Sequence, residues 1–290
     1  MALLAEKLRL MRRSGDTRRV TPHTICYNQG MSGILLFCKK YGLVAGADIV
    51  HLRAIGAAFA HLPYENVTKI LKEAHTAGSM AKLRSAEEVL EDHIRWNTGG
   101  TCFSLCNALL ALLQSCGYSA YVGMADMHYG ANIHCAVIVD LPGGRYLLDP
   151  GYLLNIPVPL PDNNGVSAID TPMNVVMLRR EAPDVFSLYT REAEEEKWRY
   201  RIRTVPTPHD EFVQHWIQSF SLNTMEQVMM SRLDEAGRLY FRKDRLELVN
   251  RRERHKTKVN PGAVQELSAT FGLPPHLILE AHRAVLARPS

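Results

Sequence analysis

The sequence predicts an α+β protein whose chain passes from a helical part, through a strand-rich part, to a smaller part that mixes both. Apolar residues recur at helical spacing before residue 117, and β-branched, apolar runs dominate between residues 118 and 205. After residue 216 the pattern changes again, to a hairpin followed by two short helical segments. We therefore expect three domains, covering residues 1–117, 118–215 and 216–290.

The helical part contains three segments whose bounds the sequence indicates. The first covers residues 48–59 and ends before Pro63, because proline lacks an N–H group and disfavours helix in the residue before it. The second begins at Ser85, which together with Glu88 has the pattern of a capping box. The third covers residues 103–116. It follows two adjacent glycines, ends at Gly117, and has so few charges that we expect it to be buried.

The strand-rich part begins with a short strand predicted at residues 118–123. A β-branched, apolar run at residues 133–139 predicts a buried strand, the segment 140–144 is a turn, and residues 145–149 form the returning strand. Further strands are predicted at residues 174–178, 198–205, 228–233 and 238–242, with a hairpin loop at 234–237. Helices are predicted at residues 263–271, before Gly272, and at residues 276–287.

Composition and charge narrow the classes of function. Of the 290 residues, 46% are hydrophobic, which suffices for a large globular core. The formal net charge of +4 is too small to indicate nucleic-acid binding, and no basic stripe carries interleaved aromatic residues. The longest largely apolar segment, residues 103–113, is too short and too polar to span a bilayer. We expect neither nucleic acid nor a membrane as a partner.

The cysteines and the first residues bear on the location of the protein. Six cysteines are few for a disulfide scaffold of this length, and none has zinc-site spacing, so we expect no metal and a reduced, cytoplasmic compartment. Residues 1–20 are rich in arginine but lack the apolar run and cleavage site of a signal peptide. A short amphipathic helix on an extension is the favoured interpretation of these residues, and a transit peptide is the alternative.

Three residues in the centre of the chain have the pattern of a Cys–His–Asp catalytic triad. Cys102 follows Gly99 and Gly100 at a predicted helix start, where free N–H groups and the helix dipole favour a thiolate. A nucleophilic cysteine needs a base, and the base needs an orienting partner. The sequence midpoint of His134 and Asp149 falls inside the predicted turn. An antiparallel hairpin therefore places the two about opposite each other, with a register open by one or two residues.

Other interpretations of these residues remain open from spacing alone. A cysteine at a helix start is commonly structural, and a buried histidine is commonly a satisfied core residue. His128 is a second candidate base, although its neighbours predict an exposed loop. Cys106 lies one helical turn beyond Cys102 and is predicted to be core, and Cys135 is predicted to face away from His134 on its strand.

Several segments carry a family resemblance. Residues 98–104 (Thr-Gly-Gly-Thr-Cys-Phe-Ser) resemble the Arg-Gly-Gly-x-Cys-Phe-Glu-like segment around the nucleophile of arylamine N-acetyltransferases. Residues 62–67 (Leu-Pro-Tyr-Glu-Asn-Val) resemble the family's Leu/Ile-Pro-Phe/Tyr-Glu-Asn segment. The strand starting at His134 and the segment 149–152 (Asp-Pro-Gly-Tyr) match in the same order, and the chain resembles this family over about residues 45–275.

This resemblance implies a fold and a reaction. The fold is a helical N-terminal domain, a β-barrel domain and a smaller α/β lid at the C-terminus, around a core similar to that of transglutaminases and papain-like proteases. The reaction is ping-pong acyl transfer through an acyl-Cys102 intermediate, with no permanently bound cofactor. The implied donor is acetyl-CoA, another acyl-CoA or an acyl-carrier protein, and the acceptor is a small-molecule amine, hydrazine or hydroxylamine.

The resemblance also suggests substrate contacts. Phe103 and Tyr152 are the expected aromatic walls for an acceptor, although core packing explains each of them equally well. Gly130 and Ala131 lie where the family's CoA passes, and their small size would leave room for it. The basic run at residues 251–258 could hold phosphates or an acidic carrier protein, and a solvated basic loop is the favoured interpretation.

Two departures from the family pattern flank the nucleophile. Thr98 stands where the family usually has arginine, and Ser104 stands where it usually has glutamate. These departures suggest a specialised member, an amide-forming acyltransferase of a biosynthetic pathway. Two other hypotheses stay open: a thiol hydrolase such as an amidase or thioesterase on the same core, and a degenerate homologue that binds a ligand without catalysis.

Overall fold

The computed structural model describes residues 31–163, 165–192, 194–260 and 263–288. The amphipathic helix predicted within residues 1–20 therefore lies outside the described residues. Within the described ranges, every helix falls short of the length and apolar character that crossing a bilayer requires.

Between residue 31 and the barrel, the described chain contains five α-helices. They are α1 (Gly33–Tyr41), α2 (Ile49–Phe59), α3 (Val67–His75), α4 (Ala86–Trp96) and α5 (Cys102–Ser115). The predicted start of α4 is correct, since the Ser85 hydroxyl accepts the backbone N–H of Glu88 at 3.1 Å. The returning half of the capping box does not form. The Glu88 carboxylate instead binds the Lys72 ammonium at 2.8 Å, a stronger, charge-assisted partner.

The strand-rich part forms one antiparallel sheet of eight strands that curls into a nearly closed barrel. The strands are β2 (Ser119–Met127), β3 (Gly130–Leu141), β4 (Gly144–Asp149), β5 (Leu154–Pro159), β6 (Val166–Asp170), β7 (Val175–Ala182), β8 (Val185–Glu192) and β9 (Glu195–Arg203). Their order is β5-β4-β3-β2-β9-β8-β7-β6, and the end strands β5 and β6 contact each other. The predicted α+β class with a barrel is thus confirmed.

The C-terminal part combines helices with a second, five-stranded sheet. It contains α6 (His209–Gln218), β10 (Met229–Asp234), β11 (Gly237–Arg242), β12 (Arg245–Val249), β13 (Arg254–Lys258), α7 (Val264–Phe271) and α8 (Pro275–Leu286). The sheet order is β1-β10-β11-β12-β13, where β1 (Tyr64–Glu65) comes from the helical part. The domain boundaries stay a prediction, and β1 joins the first predicted domain to the third.

The basic run at residues 251–258 differs from its predicted form. Residues 254–258 are strand β13 at the edge of the second sheet, so the prediction of a loop is wrong. The side chains of this strand alternate between exposed and half-buried. Lysine and arginine suit such an edge, because their charge discourages pairing with another chain.

Three hydrophobic clusters fill the described structure, and β3 separates two of them. Cys135, Val137 and Val139 of β3 belong to the cluster that contains α5, whereas Ala136 and Ile138 belong to the barrel interior. The third cluster joins α3 to the C-terminal sheet and helices. Because α5 packs on the outer face of β3, its N-terminus lies beside the beginning of that strand.

Candidate active site

Cys102 is the first residue of α5, as the sequence predicts. Thr101 is the N-cap in extended conformation, and its side chain makes no capping hydrogen bond. The Ser104 hydroxyl donates to the Thr101 carbonyl at 3.1 Å, so this side chain stabilises the first turn without adding charge. The N–H groups of the first turn have no carbonyl partner within the helix, and they lie where a negative charge on the sulfur or on a reacting oxygen is stabilised.

The two glycines before Cys102 lie in tight packing, Gly99 against Pro63 and Gly100 against the first turn of α5. The Gly100 N–H donates to the Pro63 carbonyl at 3.3 Å. A β-carbon on Gly99 would collide with the Pro63 carbonyl oxygen, and one on Gly100 would collide with the Ser104 hydroxyl. The Gly-Gly pair therefore lets the backbone before Cys102 lie directly on the Leu-Pro-Tyr-Glu segment.

Arg84 and Glu65 hold this glycine loop from two sides. The Arg84 guanidinium is buried, donates to the Gly99 carbonyl at 2.6 Å and pairs with Asp92 at 2.8 Å. The buried Glu65 carboxylate accepts the Gly99 N–H at 3.3 Å. A guanidinium that lies 15 residues before the loop thus supports the glycine segment next to Thr98.

His134 and Asp149 form a buried, hydrogen-bonded pair. Their Nε2 and Oδ2 atoms are 2.7 Å apart. The other oxygen of Asp149 accepts the backbone N–H of Tyr152 at 2.9 Å, so Asp149 also caps the short 3-10 helix at residues 150–152. Both carboxylate oxygens are fixed, and the imidazole orientation is fixed with them.

The register of the hairpin differs by two residues from direct opposition. Strands β3 and β4 pair Val137 with Leu148, so Asp149 comes opposite the residue two places beyond His134. The two side chains are diagonal neighbours on one face of the sheet, a separation that polar side chains of this length bridge.

The electrostatics of the site favour a thiolate beside an imidazolium. A hydrogen bond from Cys135 lowers the pKa of Cys102 well below its usual value, and the hydrogen bond and charge of His134 and the charge of Lys69 add to this, against burial. Burial lowers the pKa of His134, but Asp149 and Cys102 outweigh it and raise the pKa well above its usual value. The lowered pKa of Cys102 and the raised pKa of His134 both favour the thiolate and imidazolium forms of these two groups.

The other nearby cysteines remain protonated. Cys106 and Cys135 are fully buried, and the Cys106 thiol donates to the Cys135 carbonyl at 3.3 Å. Burial raises the pKa of both thiols. Cys135 belongs to the helical cluster while the His134 ring packs on Tyr200 inside the barrel, at 4.9 Å between centroids. The two consecutive side chains thus lie on opposite faces of β3.

A cavity of about 110 Å³ opens beside the Cys102 sulfur and the His134 ring. Phe103 and Tyr152 line it, although Phe103 is fully buried and also packs against Phe212 and Trp216. Gly130 and Ala131 are not among the described residues that line it. They begin β3 directly after a two-residue turn from β2, so the longer loop that the sequence predicts here is wrong.

His128, the second candidate base, lies away from the Cys102 cavity. His128 lies in the turn between β2 and β3, and its ring packs edge-on against Trp198 with centroids 4.5 Å apart. It lines a neighbouring groove with Trp198 rather than the cavity of Cys102. In the described part of the chain, no three metal-binding side chains come together.

Most residues that line the cavity are not predicted from the sequence, and three of them carry polar groups on elements far from Cys102 in the chain. Lys69, Tyr129 and Ser219 all line the cavity, and they come from α3, the β2–β3 turn and the segment after α6. One sequence feature could have pointed to Lys69. It lies three residues after Asn66, among apolar residues of α3 that are buried. No local pattern marks Ser219, because its position depends on a long-range contact.

Comparison with solved structures defines the class to which this fold belongs. An arylamine N-acetyltransferase from Mycobacterium smegmatis matches with a TM-score of 0.71 and 21% identity, covering 88% of this chain and 97% of that one. The Mycobacterium marinum enzyme in complex with CoA matches with a TM-score of 0.70 and 19% identity, covering 86% and 97%. The fold is that of the arylamine N-acetyltransferases.

A third relative differs in the acid of its site. A Bacillus cereus arylamine N-acetyltransferase, described as having a unique Cys-His-Glu catalytic triad, matches with a TM-score of 0.67 and 18% identity, covering 84% of this chain and 99% of that one. In the present chain the partner of His134 is an aspartate, Asp149.

The sequence comparison then gives the family. The family model described as N-acetyltransferase matches residues 48–275, so the chain belongs to the arylamine N-acetyltransferase family and is an acyltransferase. The resemblance seen in the sequence is confirmed. No curated protein sequence matches the chain.

Proposed function

We propose that this chain transfers an acyl group from a thioester to a small-molecule amine through an acyl-Cys102 intermediate, with acetyl-CoA as the first donor to test. The observation that carries the proposal is the buried His134–Asp149 pair beside a cysteine that begins a helix and borders a cavity. The CoA complex of the Mycobacterium marinum relative supports CoA as the carrier of the acyl group.

The first half-reaction acylates the enzyme. The Cys102 thiolate attacks the thioester carbonyl, and the N–H groups at the start of α5 stabilise the negative charge that develops on the oxygen. The bond between the carbonyl carbon and the CoA sulfur breaks, and the proton held by the His134 imidazolium protonates the departing sulfur. Asp149 keeps the ring oriented and stabilises its charged form.

The second half-reaction transfers the acyl group to the acceptor. The amine nitrogen attacks the thioester of Cys102, and neutral His134 takes a proton from that nitrogen. The carbon–sulfur bond breaks, Cys102 leaves as a thiolate, and the resting ion pair is restored. Water in place of the amine would make the protein a hydrolase, which is the alternative.

Intact-mass spectrometry of the protein with acyl thioesters tests this proposal. We expect acetyl-CoA to add one acetyl group to the wild type and to Cys38→Ala, and none to Cys102→Ala. We expect Asp149→Asn to acylate about 10⁴-fold more slowly, because the imidazole loses its orienting partner. Acylation that persists in Cys102→Ala would show that the assignment of the nucleophile is wrong.

Two product measurements separate the finer alternatives. Release of free acetate at the same rate with and without an arylamine would favour the hydrolase. Acylation by acyl-carrier protein but not by acyl-CoA would favour a carrier-protein donor, for which the comparisons give no support. The biosynthetic role and the cytoplasmic location stay predictions.

A further inference from the structure

A nearly buried lysine lines the cavity of Cys102 and has no role in the mechanism above. Lys69 lies on α3 and is only 7% exposed. Its ammonium donates to the carbonyl of Ser219 at 2.9 Å and to the hydroxyl of Ser219 at 2.7 Å, and it lies 4.4 Å from the centroid of the Phe220 ring. An ammonium has three N–H donors, so one remains without an oxygen acceptor among the described residues.

The negative charge of Cys102 helps to stabilise the charged form of Lys69. Burial lowers the pKa of Lys69 to about 8, while the negative charges of Cys102 and Glu73 raise it. Lysine with this pKa is still mostly a cation at neutral pH. Glu73 is itself shared, since it pairs with Arg288 and lies 3.7 Å from Lys82. The Cys102 thiolate is therefore the anion that the resting enzyme offers to Lys69 inside the cavity.

Acylation removes that anion. When the thiolate of Cys102 becomes a neutral thioester, the His134 proton leaves with the CoA thiol, and Lys69 no longer faces an anion at the sulfur in a site with little access to water. A buried, unpaired charge is costly, because the low dielectric disfavours it. A carboxylate at the far end of the acyl group would restore a charge pair in the cavity and supply the missing acceptor.

The size and lining of the cavity limit what can carry this carboxylate. The space beside Cys102 is small, about 110 Å³, which accommodates a short acyl chain. Thr101 also lines the cavity, and its hydroxyl is buried with no partner among the described residues. Hydroxyl and ammonium donors together suit a carboxylate better than the methyl end of a neutral acyl group.

We propose that the acyl group Cys102 accepts is short and ends in a carboxylate, and that Lys69 binds this carboxylate as a specificity residue. The donor would be a thioester of a small dicarboxylic acid. This inference rests on the acyl transfer proposed above. The covalent chemistry is unchanged: the sulfur–carbon bond moves from CoA to Cys102 and then breaks in favour of the amine, while the carboxylate takes no part in bond making.

The ratio of kcat/KM values for two acyl donors separates an effect of Lys69 on donor choice from a general change in the reactivity of Cys102. Malonyl-CoA and butyryl-CoA have acyl groups of nearly equal size, and only malonyl carries a negative charge. The measurement is kcat/KM for acylation of Cys102 with each donor, followed by intact mass, and succinyl-CoA tests the next chain length. A loss of nucleophilicity that affects both donors equally cancels in the ratio.

Three variants complete the experiment. We expect the wild type to prefer malonyl-CoA over butyryl-CoA, and Lys69→Met to lower this ratio by about 10- to 100-fold, the effect of a hydrogen bond to a charged group. Lys69→Arg keeps the charge and should keep part of the preference. Lys72→Met is the matched control, since Lys72 lies on the same helix outside the cavity and pairs with Glu88; its ratio should equal that of the wild type.

Each contrary result has a distinct meaning. A wild type that acetyl-CoA acylates but malonyl-CoA and succinyl-CoA do not would overturn this inference and leave acyl transfer standing, whereas acylation by no thioester would overturn both. An unchanged ratio in Lys69→Met would assign Lys69 to holding Ser219 alone. If Lys69→Met fails to fold, the wild-type ratio and Lys69→Arg still decide.

A carboxylate on the acceptor would give a different pattern. With acetyl-CoA as donor, 4-aminobenzoate is compared with uncharged 4-methylaniline in the wild type and in Lys69→Met. A Lys69→Met effect on this acceptor ratio, with no effect on the donor ratio, would overturn the assignment of the carboxylate to the acyl group.

Discussion

Gly151→Ala places one methyl group against both reacting residues. A β-carbon at Gly151 would lie 2.5 Å from the Cβ of Cys102, 2.9 Å from its Cα and 3.1 Å from the Cε1 of His134. The backbone at Gly151 is not in the left-handed region, so alanine adds no conformational strain there. The effect of the substitution is therefore steric.

The size of the effect follows from the overlap. Carbon atoms in contact are about 3.5–4.0 Å apart, so the new methyl group requires a displacement of about 1 Å. If the fold resists, overpacking costs about 1–3 kcal/mol of unfolding free energy. If Cys102 moves relative to His134 instead, a displacement of about 1 Å lowers the rate about 100-fold.

We expect both effects, with the larger one on the rate. The assay is the rate of CoA release from acetyl-CoA in the presence of an arylamine, together with a thermal melt. Gly143→Ala is the matched control, since it lies in the adjacent β3–β4 turn, has ordinary φ, and would place its β-carbon more than 4 Å from other atoms. A Gly151→Ala enzyme with wild-type rate and melting temperature would refute the packing argument.

Three further predictions concern the thiolate and the support of the site. Because the pKa of Cys102 is lowered, its alkylation by iodoacetamide should slow less with falling pH than that of an ordinary thiol, which slows about tenfold per pH unit. His134→Asn should make the profile steeper. Intact mass measures both rates, and a wild-type profile as steep as that of an ordinary thiol would contradict the ion pair. Arg84→Ala removes the guanidinium beside Glu65 and should cost about 3 kcal/mol of unfolding free energy. Burial raises the pKa of Glu65, so the folded state binds a proton at this carboxyl more readily than the unfolded state does. Urea denaturation should therefore show that Arg84→Ala lowers the unfolding free energy less at pH 5 than at pH 8. Equal losses at the two pH values would exclude the role of this carboxyl. The Asn66 amide donates to two backbone carbonyls before β10 and accepts one N–H, all at 2.6 to 2.7 Å. Asn66→Asp replaces the donor by an acceptor facing these carbonyls, so it should lower the melting temperature more than Asn66→Ala does. The reverse order would contradict these contacts.

The local pattern of the sequence was sufficient for the elements that carry the reacting side chains. Helical spacing and the Gly-Gly break predicted α5 within one residue at each end, and the apolar run and turn predicted the β3–β4 hairpin. Strand β5 escaped prediction because Pro157 and Pro159 remove ladder donors and weaken the strand signal. The structure tolerates them because β5 lies at the end of the sheet.

The predicted loop before β3 shows how a tertiary contact can lengthen a strand. Residues 124–127 continue β2 because they pair with β3 on one side and, at Ala125–Met127, with β9 on the other. Asp126 and Met127 carry no alternating apolar pattern of their own, so the sequence favoured a loop. Pairing with a strand some 75 residues later supplies the hydrogen bonds that hold them.

The sequence by itself determined the helix that begins at Cys102, the hairpin with its histidine and aspartate, and the family, because each depends on neighbours within a few residues or on motifs in order. Only the tertiary structure decided the two-residue register offset, the support of the glycine loop by Arg84, the approach of Gly151 to Cys102, and the place of Lys69 in the cavity. These are contacts between elements far apart in the chain. Their partners are chosen by how helices, barrel and C-terminal sheet bury their apolar faces together, and no local window of sequence contains that choice.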